Sequence, residues 1–369
     1  MVDPKTLQRT VTQVDLAVDQ SEADALAACI DARWLTEGPN ARKLAERLSR
    51  LSGSPHVTFA PNGTLGLFLS LLALDLPRGG EIIIPSFTFF ASASTAVFAG
   101  LKPVFVDVDL ETMNMTGEAV EAAVTPDTVA VMPVHIYGQA CDMDVIMDVA
   151  RARNIAVVED AAQGFGVLHR GRPVGAIGDI GMISFFSDKV ITMGEGAALY
   201  VQDESLFEKV RLLRNQGRPN SGTFVHPEFG MNFRITDLQA ALGLSQIGKF
   251  DTIHARRIAI CERYRTALAD VGDLRFMAIA DWTTQNVPFR FPIRTGRREA
   301  LEAYLEENGI QVRRCFCPMH LQPRLKQDPV QSLPASERLF EEGLCLPVHQ
   351  HLSDEDVDYQ ISVIRKFFA

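Results

Sequence analysis

The stretch Ser184-Phe185-Phe186-Ser187-Asp188-Lys189-Val190-Ile191-Thr192-Met193-Gly194-Glu195-Gly196 decides how the rest of the chain reads. Gly181 to Phe186 is a short apolar run, the pattern of a buried strand. It empties into a polar turn that holds a single lysine. Two glycines follow, and Ala197 to Val201 reads as a second strand. A lone loop lysine is ordinarily just solvated. Here it leaves a buried strand between a serine and a Gly-Glu-Gly turn, a place where a small cofactor can lie against backbone. A lysine amine whose surroundings lower its pKa becomes a nucleophile toward an aldehyde and forms a Schiff base. Pyridoxal phosphate (PLP) is the common partner for that chemistry. The remaining sequence must then supply a phosphate cup, a carboxylate for the pyridine nitrogen and a ring stacker.

Moving outward, Val57 to Ala60 is a strand candidate, followed by Pro61-Asn62-Gly63-Thr64 and an apolar helix from Leu65 to Leu76. A Gly-Thr pair opening a helix offers free N–H groups, a hydroxyl and the positive end of the helix dipole. Those are the parts of a phosphate cup, and equally of an ordinary capped helix. Glu81 to Pro85 is another strand, followed by Ser86-Phe87-Thr88-Phe89-Phe90, whose aromatics suit either a core or a planar ring. Ile155 to Val158 ends in Glu159-Asp160. A carboxylate at the C-terminal end of a buried strand lies where open α/β sheets place ligand groups. It needs a cationic partner, either a protonated pyridine or a nearby Lys or Arg.

The alternation of strand and helix from Val57 to Val201 argues an α/β lobe with a mostly parallel sheet. Ser21 is the expected N-cap of a helix to Trp34, after an arm from Met1 to Gln20. Thr236 opens a very long helical pattern to about Ala269. The remainder mixes short strands with helices, as a smaller α+β lobe does. We place the large lobe and arm at 1–247, and the linking helix with the small lobe at 248–369. Gly175, Gly178 and Gly181 do not make a G-x-G-x-x-G fingerprint, which excludes a dinucleotide site.

The bulk numbers set limits. A chain of 369 residues, 47% hydrophobic, supports a large core. The net charge is -10 with no basic block, which argues against a nucleic-acid partner. No apolar run reaches the roughly 18 residues of a membrane span, and the start of the chain lacks a signal-peptide core. The six cysteines are scattered apart from Cys315 and Cys317. A cytoplasmic protein with reduced thiols and no metal site is the expectation.

Six motifs stand in one order: Asn62-Gly63-Thr64, Pro85 to Phe89, Glu159 to Gln163, Ser184 to Phe186 with Lys189, Gly194-Glu195-Gly196, and Asn232-Phe233-Arg234. Together they resemble the sugar-nucleotide aminotransferases of the DegT/DnrJ/StrS type. The resemblance implies a fold-type-I PLP aminotransferase: a large lobe with a mostly parallel, seven-stranded sheet flanked by helices, plus a smaller C-terminal α+β lobe. It implies Lys189 as Schiff-base lysine and proton shuttle, and Asp160 at the pyridine nitrogen. Gln163 would meet the ring oxygen beside the aldehyde, and Phe89 would stack on the ring. Gly63, Thr64 and Ser184 would hold the phosphate. Asn232 would reach the phosphate in the partner subunit, which makes a homodimer part of the site.

Met132 to Gln139, Cys141 to Asp144, Arg211 to Arg214 and Pro318-Met319-His320 are similar to the perosamine-forming branch, with His320 as a substrate contact. That branch implies transfer of an amino group from an amino acid, L-glutamate, to C4 of a GDP-linked keto-deoxyhexose, as in O-antigen synthesis. A 3-aminotransferase on a dTDP-keto-sugar shares every motif. A regulator that keeps the fold without the chemistry is the reading from another class. Two residues depart from the family's pattern. Asp188 stands where Thr or Asn is commoner, so that it either raises the lysine pKa or meets a sugar hydroxyl. Cys317 stands where the perosamine-forming branch carries a histidine or an aromatic.

Overall fold

The computed structural model describes residues 9–220, 222–326 and 330–369; the expected arm over residues 1–8 lies outside them. The large sheet has seven strands: β1 (His56–Ala60), β2 (Glu81–Pro85), β3 (Lys102–Val106), β4 (Thr128–Val131), β5 (Ala156–Asp160), β6 (Ile180–Ser184) and β7 (Ala197–Val201). Their order is β1-β7-β6-β5-β4-β2-β3. Strands β3, β2, β4, β5 and β6 run parallel, and β7 is antiparallel to both of its neighbours.

Both faces of this sheet are buried, so its strands are nearly continuous apolar runs. Alternate residues still serve different cores. Ile82, Ile84, Met182 and Leu199 pack under the helices Gly63–Ala73 and Phe90–Phe98. Ile83, Val131 and Val157 face the opposite way, against Met143–Arg153. Ile183, Ala198 and Tyr200 meet Leu44 and Leu48 of the helix Pro39–Ser52.

The first helix is Gln20–Asp31, and its N-cap is Asp19 rather than Ser21. The Asp19 carboxylate accepts from the Ser21 N–H while Glu22 accepts from the Asp19 N–H. This capping box puts the N-cap two positions earlier than a serine-first reading does. Thr236 does cap the long helix Asp237–Leu268, again in a capping box, here with Gln239. The first part of that helix packs on Pro39–Ser52, and its later part buries Ile260, Tyr264 and Leu268 in the C-terminal lobe. That lobe is a four-stranded antiparallel sheet, in the order Arg275–Phe276, Phe291–Arg294, Gly343–Leu346, Arg313–Arg314. The helices Arg298–Glu307 and Asp354–Phe368 pack with it.

The described arm up to Leu16 goes with this lobe, while Ala17 packs against the large-lobe core that holds Leu44 and Leu48 and its carbonyl accepts from Gln246. Val11 is buried in the C-terminal core and bridges Ile310, and Arg9 pairs with Asp356 at 2.6 Å. An arm without periodicity carries no local signal of where it docks. A single β-branched residue, Val11, supplies the apolar anchor.

Buried Glu159 braces the loop after β5. It accepts from His135 at 2.9 Å and from the N–H groups of Gly175, Ile177 and Gly178 at 2.6–2.7 Å. Burial pushes its carboxyl up, but these donors outweigh that and hold it below the usual range. The neighbour in sequence, Asp160, is thereby left as the strand-end carboxylate that faces a cavity.

Candidate active site

The parallel strands end along one edge, and a cavity of about 540 Å³ opens there between the large sheet and the C-terminal lobe. Gly63, Thr64, Phe89, Asp160, Gln163, Ser184 and Lys189 all line it. Strand ends and helix starts meet at this edge because each βα unit delivers its loop to the same side.

Lys189 is half-buried, and its Nζ lies 4.3 Å from the centre of the Phe289 ring. Among the described residues the amine has no hydrogen bond and no ion pair. Burial pushes its pKa down, while the charges of Asp188 and Asp160 push it up; the result is about 8. Asp188 therefore does raise the lysine pKa, but desolvation outweighs it.

Asp160 is 4% exposed. Its carboxylate accepts from Ser92 Oγ at 2.7 Å and from the Ala162 N–H at 3.1 Å. Among the described residues no cation pairs with it, and burial leaves its carboxyl above the usual range despite these bonds. Gln163 Oε1 accepts from the Tyr137 N–H at 2.7 Å, which orients the side chain and leaves the amide NH₂ for the cavity. Tyr137 holds a positive φ of 52° and stacks on Phe316 at 5.5 Å. Phe316 meets the half-exposed Phe89 edge-on at 6.2 Å.

At the opposite end, Asn62 caps the helix Gly63–Ala73 by accepting from the Leu65 N–H at 2.9 Å. The N–H groups of Gly63 and Thr64 have no partner among the described residues and point out of the helix start. A Cβ on Gly63 would meet Ser184 Cβ and Oγ at 3.2 Å, so this glycine lets the helix start approach β6. Gly63→Ala is expected to push Ser184 aside and weaken PLP binding about tenfold, close to 1.4 kcal/mol. Equilibrium titration with PLP checks it; an unchanged Kd would place the phosphate elsewhere.

These unclaimed groups fit PLP. A free amine of lowered pKa suits its aldehyde. A buried carboxyl without a counter-ion suits its pyridine N–H. Two free N–H groups with the Ser184 and Thr64 hydroxyls suit its phosphate.

Two expected site residues are not in this cavity. His320 is 3% exposed, and both ring nitrogens are occupied. Nδ1 is 2.6 Å from Ser86 Oγ and Nε2 is 3.2 Å from Glu337. It ties the C-terminal lobe to the start of the Ser86 loop. Asn232 is exposed on the separate surface loop after Gly230, where its Oδ1 accepts from the Arg234 N–H. The structure also adds residues that no local motif marks. Ser92 holds Asp160, Phe289 underlies Lys189, and Arg290 and Arg313 reach the cavity from the C-terminal lobe. The one sequence hint was Asp188, a second carboxylate that needs a cation. Cys315 is close to Cys345, at 3.9 Å between sulfurs, rather than paired with Cys317.

An α/β sheet with a lysine, a strand-end aspartate and a helix-start anion cup at one edge is the arrangement of a PLP-dependent enzyme. The family model described as "DegT/DnrJ/EryC1/StrS aminotransferase family" matches residues 17–365, and the chain belongs to that family. It is 36% identical over 353 residues to the GDP-perosamine synthase of Caulobacter vibrioides, a match spanning 94% of this chain and 95% of that one. The crystal structure of the aminotransferase TlmJ from Streptoalloteichus hindustanus superposes with a TM-score of 0.93 at 30% identity, over 97% of this chain and 98% of that one. The PLP-form of the sugar aminotransferase Spr1654 from Streptococcus pneumoniae gives 0.90 at 25% identity, over 97% and 98%. The chain is thus a PLP-dependent sugar aminotransferase. No helix among its described residues is long and apolar enough to cross a membrane.

The lysine's pKa makes cofactor capture pH-dependent. The neutral amine attacks the aldehyde, so capture by the cofactor-free protein should speed up as pH rises through about 8. Asp188→Asn removes a charge that raises this pKa, and the midpoint should move below 8. Stopped-flow absorbance with added PLP reads both; a midpoint that rises in the variant would contradict this electrostatic account.

Proposed function

We propose that this enzyme moves an amino group from L-glutamate to C4 of a GDP-linked keto-deoxyhexose. The observation that carries the reading is the convergence of Lys189, Asp160, Gln163, Ser184, Gly63 and Thr64 on one cavity. The choice of acceptor is supported by the likeness to the Caulobacter GDP-perosamine synthase. When bound, PLP supplies the electron sink and carries nitrogen between the two substrates.

The chain's own groups do the rest. Gly63, Thr64 and Ser184 bind the phosphate, and Phe89 stacks on the ring. Asp160 holds a proton on the ring nitrogen by its negative charge. Gln163 donates its NH₂ to the ring oxygen. Lys189 Nζ, as the neutral amine, would take a proton from the carbon bearing nitrogen and return it on the other side of the transfer. The donor leaves as its 2-oxo acid and the keto-sugar leaves as an amino sugar.

Asn232 completes the site from a second copy in this reading. Exposed Phe229 and Met231 share a surface hollow with it, and exposed Phe224 and Val225 precede them in the same segment, an apolar surface suited to a dimer contact. Mixing Lys189→Ala with Asn232→Ala subunits tests this, because one site of each mixed dimer then holds both residues. Recovered activity supports shared sites, and none refutes them.

The acceptor is tested with glutamate, PLP and a panel of GDP-, dTDP- and UDP-linked 4-keto and 3-keto sugars, read by mass spectrometry and NMR. A 4-amino GDP-sugar is the expected product. A 3-amino dTDP-sugar would overturn the acceptor and keep the chemistry.

A further inference from the structure

Three charged groups beside Lys189 are not accounted for by cofactor binding. Asp188 lies on the cavity wall with its carboxylate between two guanidinium groups. Arg290 contacts it at 2.5 Å and Arg313 at 3.6 Å. The two arginines are not equivalent. The Arg290 side chain is 7% exposed, and its guanidinium lies 4.6 Å from the Phe289 ring centre, stacked on the ring that also underlies Lys189. Burial, stacking and a short ion pair hold it in place. The Arg313 side chain is 56% exposed and, among the described residues, makes only the longer contact. Its neighbour Arg314 is drawn off by Glu302, at 2.8–2.9 Å.

The cluster of Asp188, Arg290 and Arg313 carries one net positive charge. The fixed Arg290 already neutralises Asp188, so releasing Arg313 from Asp188 leaves no buried carboxylate unpaired. Arg313 sits on the short strand Arg313–Arg314, opposite Cys345, and reaches the cavity from the C-terminal lobe.

We propose that Arg313 is the receptor for a carboxylate of the amino donor, and that Asp188 is the internal carboxylate it exchanges for it. A planar guanidinium binds a carboxylate through two parallel hydrogen bonds, which the longer contact to Asp188 does not achieve. The exchange trades a weak internal pair for a bidentate one. Asp188 also keeps the empty mouth of the site from carrying two uncompensated positive charges. It thus sets how tightly anions are admitted, and favours a ligand able to compete for Arg313. This inference rests on the proposed use of an amino-acid donor.

Glutarate, a dicarboxylate without the amine, is the probe for the donor, and inorganic pyrophosphate is the probe for the diphosphate of the acceptor. Both are titrated calorimetrically into the PLP-loaded enzyme. Arg313→Gln, a change at an exposed side chain, is expected to weaken glutarate about tenfold and leave pyrophosphate unchanged. Arg313→Lys should recover part of that loss. Asp188→Asn should tighten glutarate three- to tenfold by removing the competitor. In steady state, Arg313→Gln should raise KM for glutamate and leave KM for the sugar nucleotide unchanged. Unchanged glutarate binding in Arg313→Gln would overturn the proposal, as would loss of pyrophosphate binding instead, which would assign Arg313 to the diphosphate. Release of 2-oxoglutarate from glutamate by the unaltered enzyme, without any sugar, tests the donor assignment separately. If it is absent, that assignment fails whatever Arg313 does.

Discussion

Lys189→Ala is expected to lower amino transfer by about 10⁴-fold or more while leaving the protein folded and able to hold PLP. The size follows from the two tasks of one amine. A positioned proton carrier contributes roughly 10²–10⁴-fold by itself, and loss of the activated nucleophile adds to that. Among the described residues no other lysine lines the cavity to take over either task. Binding survives because the helix-start cup, Ser184 and Asp160 lie on other elements and are untouched. Folding survives because the amine makes no hydrogen bond or ion pair among the described residues. Removing the half-buried amine gives up its contact with Phe289 and the attraction of Asp188 and Asp160 for the ammonium, but burial already outweighs that attraction and depresses its pKa. Single-turnover assays with glutamate, together with bound-cofactor absorbance, check both halves. Near-normal turnover would refute the assignment of Lys189.

Asp160→Asn should cost on the order of 10³-fold in kcat, comparable to the loss of one preorganised electrostatic partner in other active sites. The amide has the shape of the carboxylate. Its oxygen can still accept from Ala162, and the Ser92 hydroxyl can turn to accept from the new NH₂. The negative charge facing the ring nitrogen is what is lost. A second readout separates this from damage to the fold. Burial raises the Asp160 pKa in the cofactor-free protein, so ionising it costs stability. That cost is absent where the group is protonated and grows as pH rises through its raised folded value. The asparagine never ionises, so cofactor-free Asp160→Asn should be more stable than the parent at neutral pH and alike in acid. Thermal melts across pH read the difference. A variant that is both stable and fully active would mean that another group pairs with the ring nitrogen.

The sequence by itself determined the α/β alternation, the family and most of the expected site residues that line the cavity. Those features are local. A strand that is apolar on both faces shows as a continuous run, as at Ile180–Ser184. A helix start with free N–H groups shows as Asn-Gly-Thr, because its hydrogen-bond geometry is set within four residues. Lys189, Asp160 and Gly63 were legible because each follows directly on such an element.

Tertiary structure decided what each remaining charge faces. Asp188 and Arg290 are 102 residues apart yet in contact. His320 and Ser86 are 234 apart, and their bond ties the C-terminal lobe to the Ser86 loop. Val11 joins the C-terminal core across the whole chain. Contacts of that kind leave no period in the sequence, because the partner is chosen by the crossing of sheet edge and lobe rather than by residues nearby. A histidine or an aspartate reads the same whether its partner is a ligand or a side chain hundreds of residues away. Only the packed structure, which has to satisfy every buried charge, distinguishes the two.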